Sequence, residues 1–478
     1  MRLPLICFLF CLPALSYSAE NPGEDWPCFL GPRHNGISGE TALLDKLPVK
    51  GPAVVWAKEI GTGYGAPAIM GDRLVLHHRL GDTEIVECFD VGTGASKWKY
   101  DYPSTFIDPY GYNNGPRSSP ILTQDRCYSF GAEGKLLCLE LNTGKLVWQR
   151  NTARDWSVPP AFFGVGSTPL LAEGKLFVMV GGQPNGGMVA LDPATGKMLW
   201  ENVGKTNWQG AITIGWQAER PYEWTGEEKQ ASYSSPVLAT INGKKHLLCL
   251  MRQGLVSLNP ANGEVNFSRW FQSFEDNSVN AMCPVVQDDL ILISGAYYRV
   301  GAVLLKVKPD GKGFDEVWRI PRNPFERDRE TGRFLVPVLE QHWNTPILYE
   351  GYLYAFSGRN EPDATFRCVE FKSGKLMWSR DERWAGHPTL GSNAQPNVFG
   401  RGSAILAEGK LLAVGEAGLL GIFKPNPKQV EEISRWQVPQ LHYPCWAAPV
   451  LSRKKLYLRS EDHLVCLNLA RDTANKHD

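Results

Sequence analysis

The sequence predicts an all-β fold, an eight-bladed β-propeller built from four-stranded antiparallel sheets. One observation is a hairpin motif that recurs along the chain, and another is a Pro-led strand that precedes the hairpins. A third is that the last unit lacks its final strand, while a spare strand stands near the amino terminus. The 48 Gly and 34 Pro among 478 residues agree with a fold rich in turns.

The hairpin motif occurs in five copies that align without gaps. In each copy a Gly stands six positions after the first residue, and an aromatic residue stands ten positions after it. The Gly suits a tight turn and the aromatic residue falls in the returning strand, so each copy predicts a β-hairpin. The copies span residues 88–98, 138–148, 190–200, 257–267 and 368–378.

The second signal is a Pro that opens an apolar strand, where its missing N–H costs no ladder bond. The last unit stops near residue 469, before any turn and aromatic strand, whereas residues 52–60 carry the unassigned Trp56. We therefore predict that residues 52–60 complete the eighth blade. The eight predicted strand openings are Pro67, Pro120, Pro169, Pro236, Pro284, Pro346, Ala404 and Pro449.

The amino-terminal sequence is typical of an export signal, with one Arg, a short apolar run and small residues before position 20. No later run approaches the ~18 apolar residues of a membrane span. Lys+Arg 50 balance Asp+Glu 50, so no overall field favours nucleic acid. We expect a periplasmic or extracellular monomer. Its predicted organisation is a signal at 1–19, an extension at 20–51, the propeller at 52–470 and a tail at 471–478.

Nine cysteines follow the predicted signal, an odd number, so at least one must be free or must pair between chains. Four of them occupy equivalent positions in apolar strands, where we expect them to pack as small hydrophobic residues. These four are Cys88, Cys138, Cys368 and Cys466. The sequence does not decide whether a disulfide involves one of four further cysteines, which are Cys28, Cys127, Cys283 and Cys445.

The connections from an outer strand to the next inner strand vary most in length, and in a propeller they share one face. Aromatic and amide residues concentrate there, so this looped face is the predicted binding face. Its segments are 105–117, 155–166, 181–187, 207–224, 340–344, 357–366, 387–401 and 442–446. The candidate ligand-binding residues near its funnel are Tyr64, Asn113, Arg117, Ser234, Asn280, His342, Trp343, Asn344, Arg401 and Trp446.

The alternative for each candidate is that its side chain binds no ligand and instead stabilises the loop in which it lies by hydrogen bonds. Asp108, Glu340 and Asp363 are interpreted as loop carboxylates, and no catalytic residue is assigned. His77 and His78 are adjacent in a strand and face opposite ways, which argues against joint metal ligation.

The repeated [AC]-L-[DE]-x-x-T-G-K-x-x-W resembles the tryptophan-docking repeat of quinoprotein alcohol dehydrogenases and of the outer-membrane β-barrel assembly-factor propeller. DWPCFLGPRHNGIS at 25–38, together with YGYNNGPRSSP and SYSSPV, resembles a bacterial, secreted or periplasmic branch of PQQ-binding-like propeller proteins. The resemblance implies that the tryptophans pack between neighbouring blades, and Phe267 departs from this pattern. The tryptophans concerned are Trp56, Trp98, Trp148, Trp200, Trp318, Trp378 and Trp436.

The same resemblance implies, for a dehydrogenase, two adjacent cysteines against the quinone, a calcium site of Glu, Asn and Asp, and an Asp base. This chain has no adjacent cysteines, and its carboxylates do not match that set.

The leading hypothesis is therefore a noncatalytic envelope scaffold that binds a protein or a glycan through the looped face. One alternative is a PQQ- and calcium-dependent dehydrogenase of an alcohol, polyol or sugar, with Trp343 or Trp446 stacked on the quinone. The other is an enzyme that acts on a polysaccharide in the funnel.

Overall fold

The fold is the predicted eight-bladed propeller of four-stranded antiparallel sheets. The structure is a computed structural model that describes residues 23–160, 163–204, 213–214, 220–221, 230–273, 278–322, 326–360, 363–384 and 397–471. The predicted export signal, most of loop 207–224, residues 387–396 and the tail from residue 472 lie outside the described residues. Within the described ranges no helix is long and apolar enough to cross a membrane.

The first strands in the chain are β1 (Ile37–Ser38) and β2 (Val54–Glu59), and both join blades formed much later in the sequence. Blade 1 contains β3 (Ala68–Met70), β4 (Arg73–Leu80), β5 (Thr83–Asp90) and β6 (Ser96–Pro103). Blade 2 contains β7 (Ile121–Leu122), β8 (Arg126–Phe130), β9 (Lys135–Glu140) and β10 (Leu146–Asn151). Blade 3 contains β11 (Leu170–Ala172), β12 (Lys175–Met179), β13 (Met188–Leu191) and β14 (Met198–Asn202).

A separate two-stranded ribbon of β15 (Thr213–Ile214) and β16 (Arg220–Pro221) precedes blade 4. Blade 4 contains β17 (Val237–Ile241), β18 (Lys244–Leu250), β19 (Gly254–Leu258) and β20 (Val265–Trp270). Blade 5 contains β21 (Val285–Gln287), β22 (Leu290–Gly295), β23 (Gly301–Val307) and β24 (Phe314–Ile320). Blade 6 contains β25 (Ile347–Tyr349), β26 (Tyr352–Ser357), β27 (Thr365–Glu370) and β28 (Leu376–Asp381).

The last two blades take in the two amino-terminal strands. Blade 7 contains β29 (Ser403–Ala407), β30 (Lys410–Val414), β31 (Leu419–Phe423) and β32 (Glu432–Gln437), with β1 added in parallel to β29. Blade 8 contains β33 (Val450–Ser452), β34 (Lys455–Arg459) and β35 (His463–Asn468), and β2 is its outer strand. Helical structure in the described ranges is limited to α1 (Thr152–Asp155) and a 3₁₀ turn at Tyr297–Arg299.

Ring closure occurs as predicted, because β2 pairs antiparallel with β35 from the other end of the chain. Trp56 lies opposite Cys466, and Asn468 N donates to Ala53 O at 2.8 Å. The fifth strand of blade 7, β1, was not predicted from the sequence. Two residues are too short a segment to show strand periodicity.

The indole of each outer-strand tryptophan packs on the hairpin turn of the following blade. Trp98 Nε1 in blade 1 donates to Leu141 O in blade 2 at 2.8 Å. A Cβ on Gly144 would lie 2.5 Å from the Trp98 ring, so only glycine allows this contact. The same indole-to-carbonyl bond joins Trp56 to Val91, Trp148 to Pro193, Trp200 to Pro260, Trp318 to Phe371 and Trp378 to Asn426.

Two blade contacts differ from this pattern. Trp436 packs on Gly51, where a Cβ would lie 2.1 Å from the ring, so the residue before β2 replaces the missing hairpin glycine of blade 8. Phe267 is buried and instead meets Phe314 of blade 5 edge-on, with ring centroids 5.4 Å apart. The aromatic docking surface is therefore kept where the tryptophan is absent.

The inner strands are joined by side chains of the residues just before the strand-opening prolines. Ser119 N donates to Thr168 Oγ1 at 3.0 Å, and Thr168 N donates to Ser235 Oγ at 2.9 Å. Cys283 N donates to Thr345 Oγ1 at 3.0 Å in the same way. These bonds satisfy buried backbone N–H groups across the blade boundary, which explains the Ser or Thr before Pro in the sequence.

The segment of residues 24–38, called the plug here, lies against the inner strands of several blades. Trp26 and Ile69 exchange backbone hydrogen bonds of 3.1 and 2.8 Å, and Leu122 N donates to Pro27 O at 2.8 Å. At its far end Leu406 N donates to Gly36 O at 2.9 Å.

The plug lies at the face opposite the looped one. Gly71 N, in the turn between β3 and β4, donates to Asp25 Oδ1 at 3.1 Å, and such turns lie at the opposite end of the blades. The plug therefore closes that end of the axial channel.

The nine cysteines from Cys28 to Cys466 are all buried and free, so no disulfide forms among them. Burial raises the pKa of the Cys28 thiol to about 12. Cys88, Cys138, Cys368 and Cys466 are fully buried in strands, as predicted. The odd cysteine number thus reflects core packing.

Alanine at Gly144 tests the docking of blade 1 on blade 2. Because φ at residue 144 is +72°, an alanine there should lower the free energy of unfolding by ~1–2 kcal/mol. Overpacking of its Cβ against Trp98 should lower it by a further ~1–3 kcal/mol. Gly174→Ala is the matched control, because φ is +67° there and a Cβ meets nothing within 4 Å. Urea denaturation is expected to show a larger loss of stability for Gly144→Ala, and equal losses would contradict the docking interpretation.

Candidate functional site

The loops of the looped face surround an axial cavity of about 200 Å³. Seven of the ten candidate residues line it, and the plug supplies Phe29 and Leu30 to the same lining. A cavity of this size is smaller than the ~300–1,000 Å³ of sites for drug-sized ligands, so it suits a single ring. The seven candidates are Tyr64, Arg117, His342, Trp343, Asn344, Arg401 and Trp446.

Aromatic rings form the cavity wall. Trp446 is central, with its ring centroid 4.8 Å from Tyr64, 5.1 Å from Trp343 and 5.4 Å from Tyr112. The contacts continue through Phe163, whose centroid is 6.1 Å from that of Tyr112 and 5.5 Å from that of Tyr233. Because these rings support one another, the wall is formed without a ligand.

Arg117 enters this wall with its charge already balanced. Its Nη2 donates to Asp108 Oδ2 at 2.5 Å and to Asn113 O at 3.2 Å, and the Asp108 side chain is fully buried. The guanidinium also lies over Tyr64, 5.4 Å from the ring centroid. Asp108 is thus a loop carboxylate, as interpreted from the sequence, and its role is to hold Arg117.

Arg401 is held similarly on the other side. Its Nε donates to the fully buried Glu416 Oε1 at 2.8 Å, and its Nη1 donates to Arg359 O at 2.7 Å. Its guanidinium stacks on Trp343 at 4.5 Å, and Trp446 Nε1 donates to Glu416 Oε1 at 3.3 Å. Glu416 therefore holds both Arg401 and Trp446 in place, and no sequence pattern pointed to this role.

His342 is neutral in the cavity wall. Its Nδ1 lies 3.3 Å from Arg401 Nη1, so it accepts a hydrogen bond, and its Nε2 lies 3.2 Å from Tyr297 Oη. Burial, followed by the charges of Arg401 and Arg359, holds the pKa of His342 well below its usual range. Protonation would place a third positive charge beside two arginines.

Three buried polar atoms of the cavity lining have no hydrogen-bond partner within the protein. They are Tyr64 Oη, Trp343 Nε1, a donor, and Asn344 Oδ1, an acceptor. The amide nitrogen of Asn344 is already used, since Nδ2 donates to Phe356 O at 2.9 Å and to Gly402 O at 2.7 Å. A ligand hydroxyl can accept a hydrogen bond from Trp343 Nε1, and a ligand hydroxyl can donate one to Asn344 Oδ1.

Three of the ten candidates are not among the residues that line the cavity. Asn280 is buried and its Nδ2 donates to Met251 O at 2.9 Å, Ser234 is fully buried, and Asn113 Oδ1 accepts from Gly115 N at 2.9 Å. These residues shape loops, the alternative given for every candidate. A sequence neighbour of each one lines the cavity instead, namely Tyr112, Tyr233 and Val279.

The sequence reasoning missed several aromatic lining residues. Tyr112 and Tyr233 directly precede the candidates Asn113 and Ser234, and Phe163 lies in the flagged segment 155–166. Concentration of aromatic residues in those loops was the available signal. No sequence signal marked Phe29 and Leu30 as lining residues, because only the folded plug brings them to the channel.

His77 and His78 do face opposite ways, as expected. His77 Nδ1 lies 2.8 Å from Ser129 Oγ of blade 2, and His78 Nε2 lies 3.1 Å from Glu87 Oε2. Both histidines are buried, so they serve polar packing within and between blades.

The described cavity lining does not fit a quinone with calcium. Calcium needs several convergent oxygen ligands, and among the described lining residues there is no Asp or Glu. Asp108 and Glu416 lie close by, but each is bound to an arginine. The described lining therefore offers aromatic surfaces for stacking on a quinone, but it contains no acidic ligands for calcium.

Comparison with known proteins agrees with the architecture. A family model described as outer membrane protein assembly factor BamB matches residues 82–319. BamB of Moranella endobia is 20% identical over 166 residues, 34% of this chain and 40% of that protein. The dehydrogenase subunit of the quinone alcohol dehydrogenase of Komagataeibacter europaeus is 28% identical over 128 residues, 24% of this chain and 16% of that protein.

Two solved structures share the fold over most of the chain. A europium-containing methanol dehydrogenase superposes with a TM-score of 0.62 at 12% identity, covering 92% of this chain and 89% of the other. BamB from Moraxella catarrhalis superposes with a TM-score of 0.51 at 12% identity, and the match covers 87% of this chain and 99% of the other. The chain is a PQQ-like β-propeller. Its sequence matches span less than half the length of these curated relatives, and such identities establish the fold alone.

The neutral state of His342 makes stability depend on pH. The unfolded histidine titrates near pH 6.5 and the folded one well below, so stability is lost as pH falls below ~6.5, by up to ~1.4 kcal/mol per pH unit. His342→Gln keeps an acceptor for Arg401 and removes this titration. Denaturant unfolding at pH 7.5 and 5.5 should show a smaller acid-induced loss for the variant. Equal losses in both proteins would contradict a buried neutral His342.

Proposed function

We propose that this protein is an exported, noncatalytic binding propeller of the cell envelope whose axial cavity receives one neutral sugar ring of a glycan. The observation that carries the proposal is the aromatic-walled cavity in which Trp343 Nε1 and Asn344 Oδ1 have no partner within the protein. Export is supported by the amino-terminal sequence and by the outer-membrane assembly factors among the relatives.

The size and wall of the cavity favour a sugar ring. The C–H faces of a sugar are apolar and pack on aromatic rings, while its hydroxyl groups both donate and accept hydrogen bonds. Trp446 and Trp343 supply adjacent rings, and Trp343 Nε1 and Asn344 Oδ1 supply a donor and an acceptor for sugar hydroxyl groups. An apolar ligand of the same size would leave both atoms unsatisfied, which costs ~1–3 kcal/mol each.

The charge of the cavity favours a neutral ligand. Arg117 and Arg401 each have a buried carboxylate partner, so neither presents an uncompensated positive charge. Their remaining role is to hold Tyr64 and Trp343 in place through ring contacts.

Binding is favoured over hydrolysis. Most glycoside hydrolases place two carboxyl groups on either side of the scissile bond, one as acid and the other as base or nucleophile. The described lining contains no carboxyl group, and Asp108 and Glu416 are both bound to arginine.

The test is titration of the purified protein with neutral oligosaccharides selected on a glycan array. Trp446→Ala removes a stacking surface and should weaken binding at least about tenfold. Trp343→Phe removes the indole N–H and part of the ring surface but keeps an aromatic ring, and should weaken binding about five- to tenfold. Phe334→Ala is the matched control, since Phe334 is an exposed aromatic residue of the looped face outside the cavity. No glycan bound by the wild type, or equal binding by all three variants, would refute the proposal.

A second candidate is that the looped face binds another envelope protein, with one partner side chain filling the cavity. The match of residues 82–319 to the BamB model supports it. A pull-down from envelope extract with the wild type and an Arg117→Ala, Asn344→Ala, Trp446→Ala triple variant distinguishes the two. A protein partner retained by the wild type and lost by the triple variant, without glycan binding, favours this candidate.

The quinone alternative is supported by the partial sequence match to a quinone alcohol dehydrogenase and by the fold likeness to a methanol dehydrogenase. The described cavity lining does not support it, because it contains no Asp or Glu to bind calcium. Incubation with PQQ and calcium is expected to leave the quinone absorbance unchanged and to give no dye reduction with alcohols or sugars. A stoichiometric absorbance change would overturn the noncatalytic proposal.

A further inference from the structure

Three side chains of blade 8 and its entry loop bring nitrogen and oxygen donors to one point on the looped face. His442 lies in the connection from β32 to β33, Asp462 lies in the turn between β34 and β35, and His463 begins β35. None of the three lines the axial cavity. They are the one such group of three found among the described residues.

The donor atoms converge closely. His442 Nε2 lies 3.0 Å and His463 Nδ1 lies 2.8 Å from the same oxygen, Asp462 Oδ1, and all three atoms fall within 4.8 Å of one another. Three ligands each ~2.1 Å from a zinc ion are themselves ~3–3.5 Å apart. Small side-chain rotations are therefore enough to place an ion between them.

We propose that His442, Asp462 and His463 bind a divalent transition-metal ion such as Zn²⁺. Two imidazoles and one carboxylate suit such an ion, whereas calcium and magnesium prefer oxygen ligands alone. The side chains are 17%, 46% and 29% exposed, so water can reach the ion and complete its coordination.

The backbone around the site is held in place before any metal binds. His463 N donates to Ser460 Oγ at 3.2 Å, and Ser460 Oγ donates to Asp462 Oδ1 at 3.2 Å. Ile60 N donates to Asp462 O at 2.8 Å, which ties the turn to the segment that follows the closing strand β2. On the other side Cys445 Sγ donates to His442 O at 3.1 Å.

The site is independent of the proposed glycan function, although the two are near each other. His442 stands four residues before Trp446, which lines the cavity. Without metal, the same three residues form a hydrogen-bonded chain in which both imidazoles donate to Asp462. The experiment has to separate these two states.

The test is calorimetric titration of tag-free, metal-free wild-type protein with Zn²⁺ alone. One ion per chain is expected, and His463→Gln or Asp462→Asn should each weaken binding at least about tenfold, as loss of a ligand does. Asp381→Asn is the matched control, because its carboxylate is exposed to a similar degree and lies outside the group. Thermal unfolding of the metal-free variants checks that each is folded.

A second measurement uses the wild type alone. Co²⁺ bound by two imidazoles and a carboxylate should give visible d–d absorption that Zn²⁺ displaces, even if a variant fails to fold. Absence of Zn²⁺ binding by the wild type, or equal affinity in the wild type and both ligand variants, would overturn the metal proposal and leave the hydrogen-bonded chain. Neither outcome bears on glycan binding.

Discussion

The docking of each outer aromatic residue on the turn of the next blade is the contact on which the rest of the structure depends. Six indoles donate to a backbone carbonyl in the neighbouring blade. Each contact fixes the distance and the twist between two sheets, and no blade can bury its faces alone. Trp436 on Gly51 extends the rule to the closing blade, where the turn comes from the other end of the chain.

Ring closure gives the amino-terminal region a second role. Once β2 has joined β35, the residues before it are held at the channel, where the plug pairs with inner strands of blades 1, 2 and 7. The plug closes one end and contributes Phe29 and Leu30 to the cavity. The channel thereby becomes a pocket open to the looped face. Hydrogen bonds from Ser119 N to Thr168 Oγ1 and from Thr168 N to Ser235 Oγ join neighbouring inner strands around this pocket.

The cavity shows how a shared architecture carries different chemistry. Function resides in loops and lining residues, which a common scaffold positions. Here the carboxylates near the axis neutralise arginines and orient tryptophans, so the described lining presents aromatic surface and a few polar atoms. That arrangement is suited to recognition. It differs from the acidic donor set that the likeness to quinoprotein dehydrogenases implied.

The sequence by itself determined the repeat, the blade number and the closure by residues 52–60, because strand periodicity, turn glycines and docking tryptophans are local signals. It also predicted the face that carries the cavity, since aromatic residues gather in its loops. The tertiary structure decided which side chains reach the axis, so Asn113, Ser234 and Asn280 gave way to neighbours such as Tyr112 and Tyr233. It alone paired Arg401 with Glu416 and brought His442 to His463, because those contacts join segments whose spacing in the chain carries no periodic signal.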